Sequence, residues 1–242
     1  MAGHSKWANI KHKKARQDAS RGKVFTKIAR EIIVAVRQGG GADPEGNMRL
    51  RMALNKARAA NMPNDNINRA IARAVGSSDS DNLEEITYEG YGPGGVAILM
   101  DIVTDNRNRT AGEIRYIFSR KGGNLGETGC VAWMFKRQGQ IFVAKDNCPL
   151  DEEEMMLAAL DAGAEDVRDE GQGWEIITSP EAFEQVRVAL EAQCVLESAE
   201  ITMLPDNLIE GPPEVLDLVE ALDEHDDVQN VYTNWDMPED IG

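Results

Sequence analysis

Lys6, Lys11, Lys13, Lys14, Arg16 and Arg21 fall within the first 22 residues, with Trp7, His4 and His12 among them. Lysines and arginines at this density neutralise phosphates and release counterions from a polyanion, whatever its sequence. An indole beside them adds base stacking of about 1–3 kcal/mol. Lys23 and Lys27 extend the series onto the face of the helix that follows. A second pair, Arg107 and Arg109, lies in DNRNRT, just ahead of a helix start. Cations there oppose the helix dipole at about 0.3–1 kcal/mol each. Two of them beside free backbone N–H groups make an anion site, and local pairing with Asp105 and Glu113 is the competing reading. These residues are the expected nucleic-acid contacts.

Other chemistry is harder to find. The histidines are His4, His12 and His225, and no nucleophile–base set can be assembled from them. The expectation is therefore no catalytic residue, no enzyme and no small-molecule substrate. The stretches Gly90–Gly95 and Gly122–Gly129 lack the spacing of phosphate-binding loops and read as turns. The acidic runs Asp151–Glu154 and Asp223–Asp227 read as solvated faces, or as a surface for a basic protein partner, rather than as a metal site. Cys130, Cys148 and Cys194 have no zinc-ligand spacing and read as three reduced thiols without a disulfide. No cofactor is expected.

The distribution of charge supports the first reading. The chain of 242 residues carries a net charge of −16, yet residues 1–75 hold 16 basic and five acidic residues, an excess of +11. Residues 76–145 come to −1, and residues 146–242 to −26. Exposed charges are screened beyond a Debye length of about 8 Å, so a basic module meets a polyanion while an acidic one stays apart. No apolar run approaches the roughly 18 residues of a membrane span, and the N-terminus has no secretory apolar region. A cytoplasmic protein with no membrane partner is expected.

Residues 1–22 read as an arm. A first helix begins near Lys23, with Phe25, Ile28, Ala29, Ile32, Ile33 and Val36 on one face, and ends at Gly39–Gly41. Asp43 and Pro44 predict the cap and first turn of a second helix, and a third carries Ile67, Ala70, Ile71 and Ala74. After the polar run 77–82 the period changes. Ile86–Tyr91 and Val96–Val103 predict a hairpin. Thr110 and Glu113 predict a capping box, and Val131–Phe135 a strand. From 140 to 204 the order is βαββαβ, the ferredoxin-like arrangement, followed by a helix with Val215 and Leu218 and a strand near Val228–Thr233. The expected fold is α+β and multidomain. It comprises an N-terminal three-helix domain and two α/β domains (ferredoxin-like, two-layer), one inserted into the other. The boundaries are 1–76, 83–137 with 205–238, and 138–204 as the insert.

Several stretches together resemble the YebC/PmpR family: AGHSKWANIKHKK, FTKIAREI, MPNDNINRAI, YEGYGPGG, DNRNRT and KGGNLGETGCVAWMF. The likeness spans almost the whole chain and is strongest over 1–136. Cys130 stands where the resemblance implies serine. The resemblance implies three domains and a cytoplasmic DNA-binding transcriptional regulator. It also implies a competing role, because mitochondrial relatives are translational activators of cytochrome oxidase synthesis and bacterial ones are linked to ribosomes stalled on proline-rich stretches. The expected partner is thus DNA, or ribosomal RNA and the ribosome. With no helix-turn-helix dimer signature to read base edges, contact through the backbone is expected. A protein-interaction scaffold working through 146–242 is the third reading.

Overall fold

The computed structural model describes residues 21–76 and 83–238. The arm and the polar run 77–82 lie outside them. Three helices come first: α1 Arg21–Gln38, α2 Met48–Ala59 and α3 Asn64–Gly76. α1 packs against both others, burying Ile28, Ile32 and Val36 with Leu50, Leu54, Ile67 and Ala70. The cap of α2 is not Asp43 but Asn47. Its Oδ1 accepts from the Leu50 N–H at 3.0 Å, and its amide donates to the Ala35 and Gly41 carbonyls, each at 2.8 Å. One buried amide thus closes the end of α1 and the start of α2. Asp43 forms only a local turn, accepting from the Glu45 N–H. A Cβ at Gly39 would lie 2.5 Å from Asn47 Oδ1, which explains the glycine there.

The next elements are β1 Glu84–Tyr91, β2 Ala97–Thr104, α4 Arg107–Arg120 and β3 Asn124–Leu125. The chain returns to this sheet only through α7 Glu214–Asp223 and β9 Val228–Thr233, giving the order β3-β1-β2-β9. Register aligns Tyr88, Met100 and Val231 on the side covered by α4 and α7. There Phe118 and Leu218 are buried. A Cβ on Gly90 would strike Phe118 and the Asn124 carbonyl, at 2.8 and 2.6 Å. The three helices and this sheet form one compact body, residues 21–132 with 211–233.

Glu89, on the sheet's other face, organises the loop after β3. It accepts from the backbone N–H groups of Gly129, Val131 and Ala132 at 2.6, 2.8 and 2.7 Å. Burial pushes its carboxyl up, but those three donors outweigh it and hold it below the ordinary range. Glu89→Gln places an NH₂ against an N–H donor and is expected to cost about 2 kcal/mol. Faster amide exchange at 129–132, at unchanged exchange in α1, would register the loss.

The second body comprises 133–210 with 234–238. The expected strand Val131–Phe135 is instead a 3-10 turn, Ala132–Met134, leading into β4 Phe135–Ala144. Then come α5 Glu152–Asp161, β5 Asp166–Asp169, β6 Gly173–Thr178, α6 Phe183–Glu191 and β7 Leu196–Pro205. The strand order β5-β6-β4-β7, all antiparallel, is ferredoxin-like as expected. β8 Ile209–Glu210 pairs in parallel with β10 Trp235–Asp236. Asp151 caps α5 in a reciprocal box with Glu154, so this acidic run serves a helix start.

Cys148 and Cys194 form a disulfide, which overturns the reading of three reduced thiols. They are 46 residues apart, but one follows β4 and the other precedes its antiparallel neighbour β7, where Val143 pairs with Leu196. Tertiary pairing, not spacing, brings them together.

Glu175 in β6 is only 3% exposed. Burial pushes its carboxyl up, against a hydrogen bond from Gln140 and the charge of Arg168. The folded state therefore holds this proton more tightly than the unfolded chain does. The resulting stabilisation is full below the unfolded value and lost as pH rises through the folded one. Glu175→Gln should raise stability at pH 7 by about 1 kcal/mol, with the advantage shrinking towards pH 4.5 in urea denaturation.

Candidate nucleic-acid interface

α4 starts where Asn106 Oδ1 accepts from the Arg109 N–H at 3.0 Å, while Thr104 Oγ1 accepts from the Asn106 N–H at 2.9 Å. The expected Thr110–Glu113 capping box is therefore corrected: Thr110 lies a turn inside the helix and is buried. Ile114 and Phe118 turn α4 inward. Outward, Arg109, Gly112, Tyr116 and Arg120 follow one another at three- and four-residue steps, flanked by Asn108, Arg115 and Ser119. Tyr116 is 65% exposed, and a Cβ on Gly112 would meet nothing within 4 Å. The guanidiniums of Arg107, Arg115 and Arg120 are exposed and pair with no described residue.

Arg109 behaves differently. It donates to Asp105 and to Asp227, both at 2.9 Å. The hydrogen bond it donates to Asp227 is the main reason its pKa lies above the ordinary arginine value. Asp227, in the α7–β9 loop, also accepts from Thr110 at 2.7 Å, Thr104 at 3.1 Å and Arg30 of α1 at 2.8 Å. His225 Nδ1 accepts from the Asp227 N–H at 3.1 Å, so in the neutral ring Nε2 carries the proton and donates to Glu113 Oε2 at 2.9 Å. Lys23 Nζ reaches the Glu224 carbonyl at 3.4 Å, and Lys27 bonds to the Asp223 carbonyl. Those carbonyls end α7, where the helix dipole favours cations. The run Asp223–Asp227 thus receives α1.

Of the expected phosphate contacts, Lys6, Trp7, Lys11, Lys13, Lys14 and Arg16 lie outside the described residues. Arg21 opens α1, and its side chain is likewise outside them. Lys23, Lys27 and Arg109 are drawn to internal oxygens, whereas Arg107 faces solvent. Arg115, Tyr116 and Arg120 are not among the contacts expected from the sequence. Their positions off the Ile114–Phe118 stripe are the periodic signal that marks them. Arg58 and Arg69 are also exposed, bonded only to residues of their own helices.

Beside α4 lies an open cleft of about 750 Å³, lined by Lys23, Arg30, Arg109 and Tyr116 and, against them, Glu113, Glu224 and Asp226. Its charges are mixed, so it does not itself attract an anion. Glu113, His225 and Asp227 bring donor atoms within 4.8 Å of one another. With both Asp227 oxygens committed to arginine and threonine donors, this set suits a hydrogen-bond network rather than a cation.

The architecture defines a multidomain α+β protein: a helical N-terminal region followed by two sheet-containing domains. No described helix is long and apolar enough to cross a membrane. The profile described as "TACO1/YebC protein N-terminal domain" matches residues 5–77, and that described as "TACO1/YebC second and third domain" matches residues 83–235. The chain belongs to the TACO1/YebC family. A relative from Syntrophomonas wolfei, named "Probable transcriptional regulatory protein", is 58% identical, covering 100% of this chain and 98% of its own. One of the same name from Moorella thermoacetica is 58% identical, over 98% of this chain and 96% of its own. The crystal structure of a conserved hypothetical protein from Aquifex aeolicus superposes with a TM-score of 0.81 at 45% identity, covering 92% of this chain and 93% of that one.

Proposed function

We propose that this protein is a non-enzymatic regulator of gene expression that binds nucleic acid through its basic N-terminal third and the outer face of α4, with DNA as the primary target. The observation that carries the reading is the α4 face. Arg115 and Arg120 flank an exposed tyrosine and an open glycine, Arg107 stands exposed at the first turn of the same helix, and no described carboxylate neutralises any of the three. Cations of this kind hold phosphates, a bare glycine lets a sugar-phosphate backbone approach, and a solvent-facing ring stacks on a base. Lys6, Lys11, Lys13, Lys14, Arg16 and Arg21, with Trp7, supply the remaining contacts, and Lys23 and Lys27 anchor α1 beside them. The names of the relatives support regulation of transcription.

The exposed Tyr116 favours a second target, because a tyrosine stacks on unpaired bases, which structured RNA offers more readily than duplex DNA. In this reading the protein is a ribosome-bound translation factor. Crosslinking in cells, with sequencing of the attached nucleic acid, decides between the two. Reads concentrated at promoters support the DNA regulator, and reads in ribosomal or transfer RNA, with co-sedimentation on ribosomes, support the translation factor. Recovery of neither refutes both.

A further inference from the structure

The helix layer of the 133–210 body is unlike a nucleic-acid surface. On α5, Met155 and Ala159 are fully buried, whereas Met156, Leu157 and Leu160 are 42%, 63% and 47% exposed. Their spacing places them in one outward stripe. α6 packs beside α5 and exposes Val188 by 52%. Large apolar groups gathered this way outside a core mark a surface that is covered in use. Acidic residues rim the stripe: Glu152, Glu153 and Asp161 on α5, Glu184 and Glu191 on α6. The one cation of the two helices, Arg187, is held by Glu184 at 2.9 Å and Glu191 at 2.6 Å. Glu152, Glu153 and Asp161 pair with no described cation.

The charge selects the occupant. Nucleic acid and an anionic membrane surface are repelled, and a second copy would set carboxylates against carboxylates. We propose that this face docks a cationic amphipathic helix of a partner protein, its apolar side on Met156, Leu157 and Leu160 and its lysines or arginines on the acidic rim. Helix-on-apolar-face docking with charged flanks is a common mode of peptide recognition. This surface is separate from the nucleic-acid contacts and goes beyond them.

The test titrates the full-length, isotope-labelled protein with a leucine–lysine amphipathic peptide of about 18 residues, and with a shuffled peptide of the same composition. At physiological salt the amphipathic peptide should bind at least about tenfold more tightly than the shuffled one, with amide shifts confined to 152–161 and 183–191. A Met156→Ser, Leu157→Ser, Leu160→Ser variant changes only outward side chains. It should lose about tenfold in affinity for the amphipathic peptide and none for the shuffled one. Equal binding of the two peptides, shifts elsewhere or an unaffected variant would overturn the proposal. So would self-association, seen by sedimentation and abolished in the variant, since a second copy would then be the occupant.

Discussion

Asp227→Ala is expected to cost about 3 kcal/mol, as removing one partner from a buried ionic network does. The Asp227 side chain is 3% exposed and gathers Arg30, Arg109, Thr104 and Thr110. Without it the threonine hydroxyls keep only each other and the Asn106 carbonyl as acceptors, and α1 loses a tie to the sheet. Arg30 and Arg109 are 22% and 43% exposed, so water recovers part of their solvation, which keeps the cost at the lower end of the range for buried pairs. Urea denaturation at pH 7 measures the difference, and a double-mutant cycle with Arg30→Ala isolates the tie between α1 and the α7–β9 loop. A cost below about 0.5 kcal/mol would show that solvent supports this end of the molecule.

The pH dependence follows from the same geometry. Burial pushes the Asp227 carboxyl up, but hydrogen bonds from Thr110 and Arg109, the charge of Arg30 and the Thr104 hydroxyl outweigh it and hold it below the ordinary range. The folded protein thus binds this proton less tightly than the unfolded chain. The stabilisation is present above the unfolded carboxylate value of about 4 and disappears as pH falls through the lower folded value. The deficit of the alanine variant should therefore be full at pH 7 and shrink as pH falls below the unfolded carboxylate value. Glu89 is shifted the same way and weakens in the same window, whereas Glu175 works in the opposite direction.

The second large effect is on binding. If about six phosphates are held, affinity should fall about 10³-fold between roughly 50 and 200 mM salt, because each contact releases a condensed counterion. Arg115→Gln with Arg120→Gln should lower the slope of log affinity against log salt by about two. These side chains make no described internal contact, so fold stability should not change. Tyr116→Ala separates the two targets: it should cost about 1–3 kcal/mol on unpaired bases and little on duplex DNA. Fluorescence anisotropy with labelled single strands and duplexes provides all of these measurements. A flat salt response would remove phosphate contact as the basis of the function.

The first sheet shows how far periodicity reaches. Ile86–Tyr91 and the apolar run after Gly92–Gly95 are legible as a hairpin from their composition and the Gly/Pro turn between them, whereas β2, buried along nearly its whole length, shows no alternation of faces. The helix with Ile114 and Phe118 is equally legible, but its cap is not. Thr110 and Glu113 have capping-box spacing, yet Asp227 offers Thr110 a buried acceptor from 117 residues away. Asn106, four residues earlier, takes the cap instead. The two-residue β3 has too few side chains to show a period, so the apolar run 131–135 takes its place in a sequence reading.

Local interactions are written in the chain: the amphipathic faces of α1, α3 and α4, the βαββαβ order of the acidic module, and the gradient from a basic front to an acidic rear. Each depends on residues within a few positions of one another, where spacing and charge act directly. What the tertiary structure alone decided are the pairings between distant residues. Lys23, Lys27 and Arg30 meet the end of α7, Arg109 meets Asp227, and Cys148 meets Cys194. A cation in a sequence carries no mark of whether its counter-charge will be a phosphate or a carboxylate some 200 positions on; the fold determines which one lies within reach.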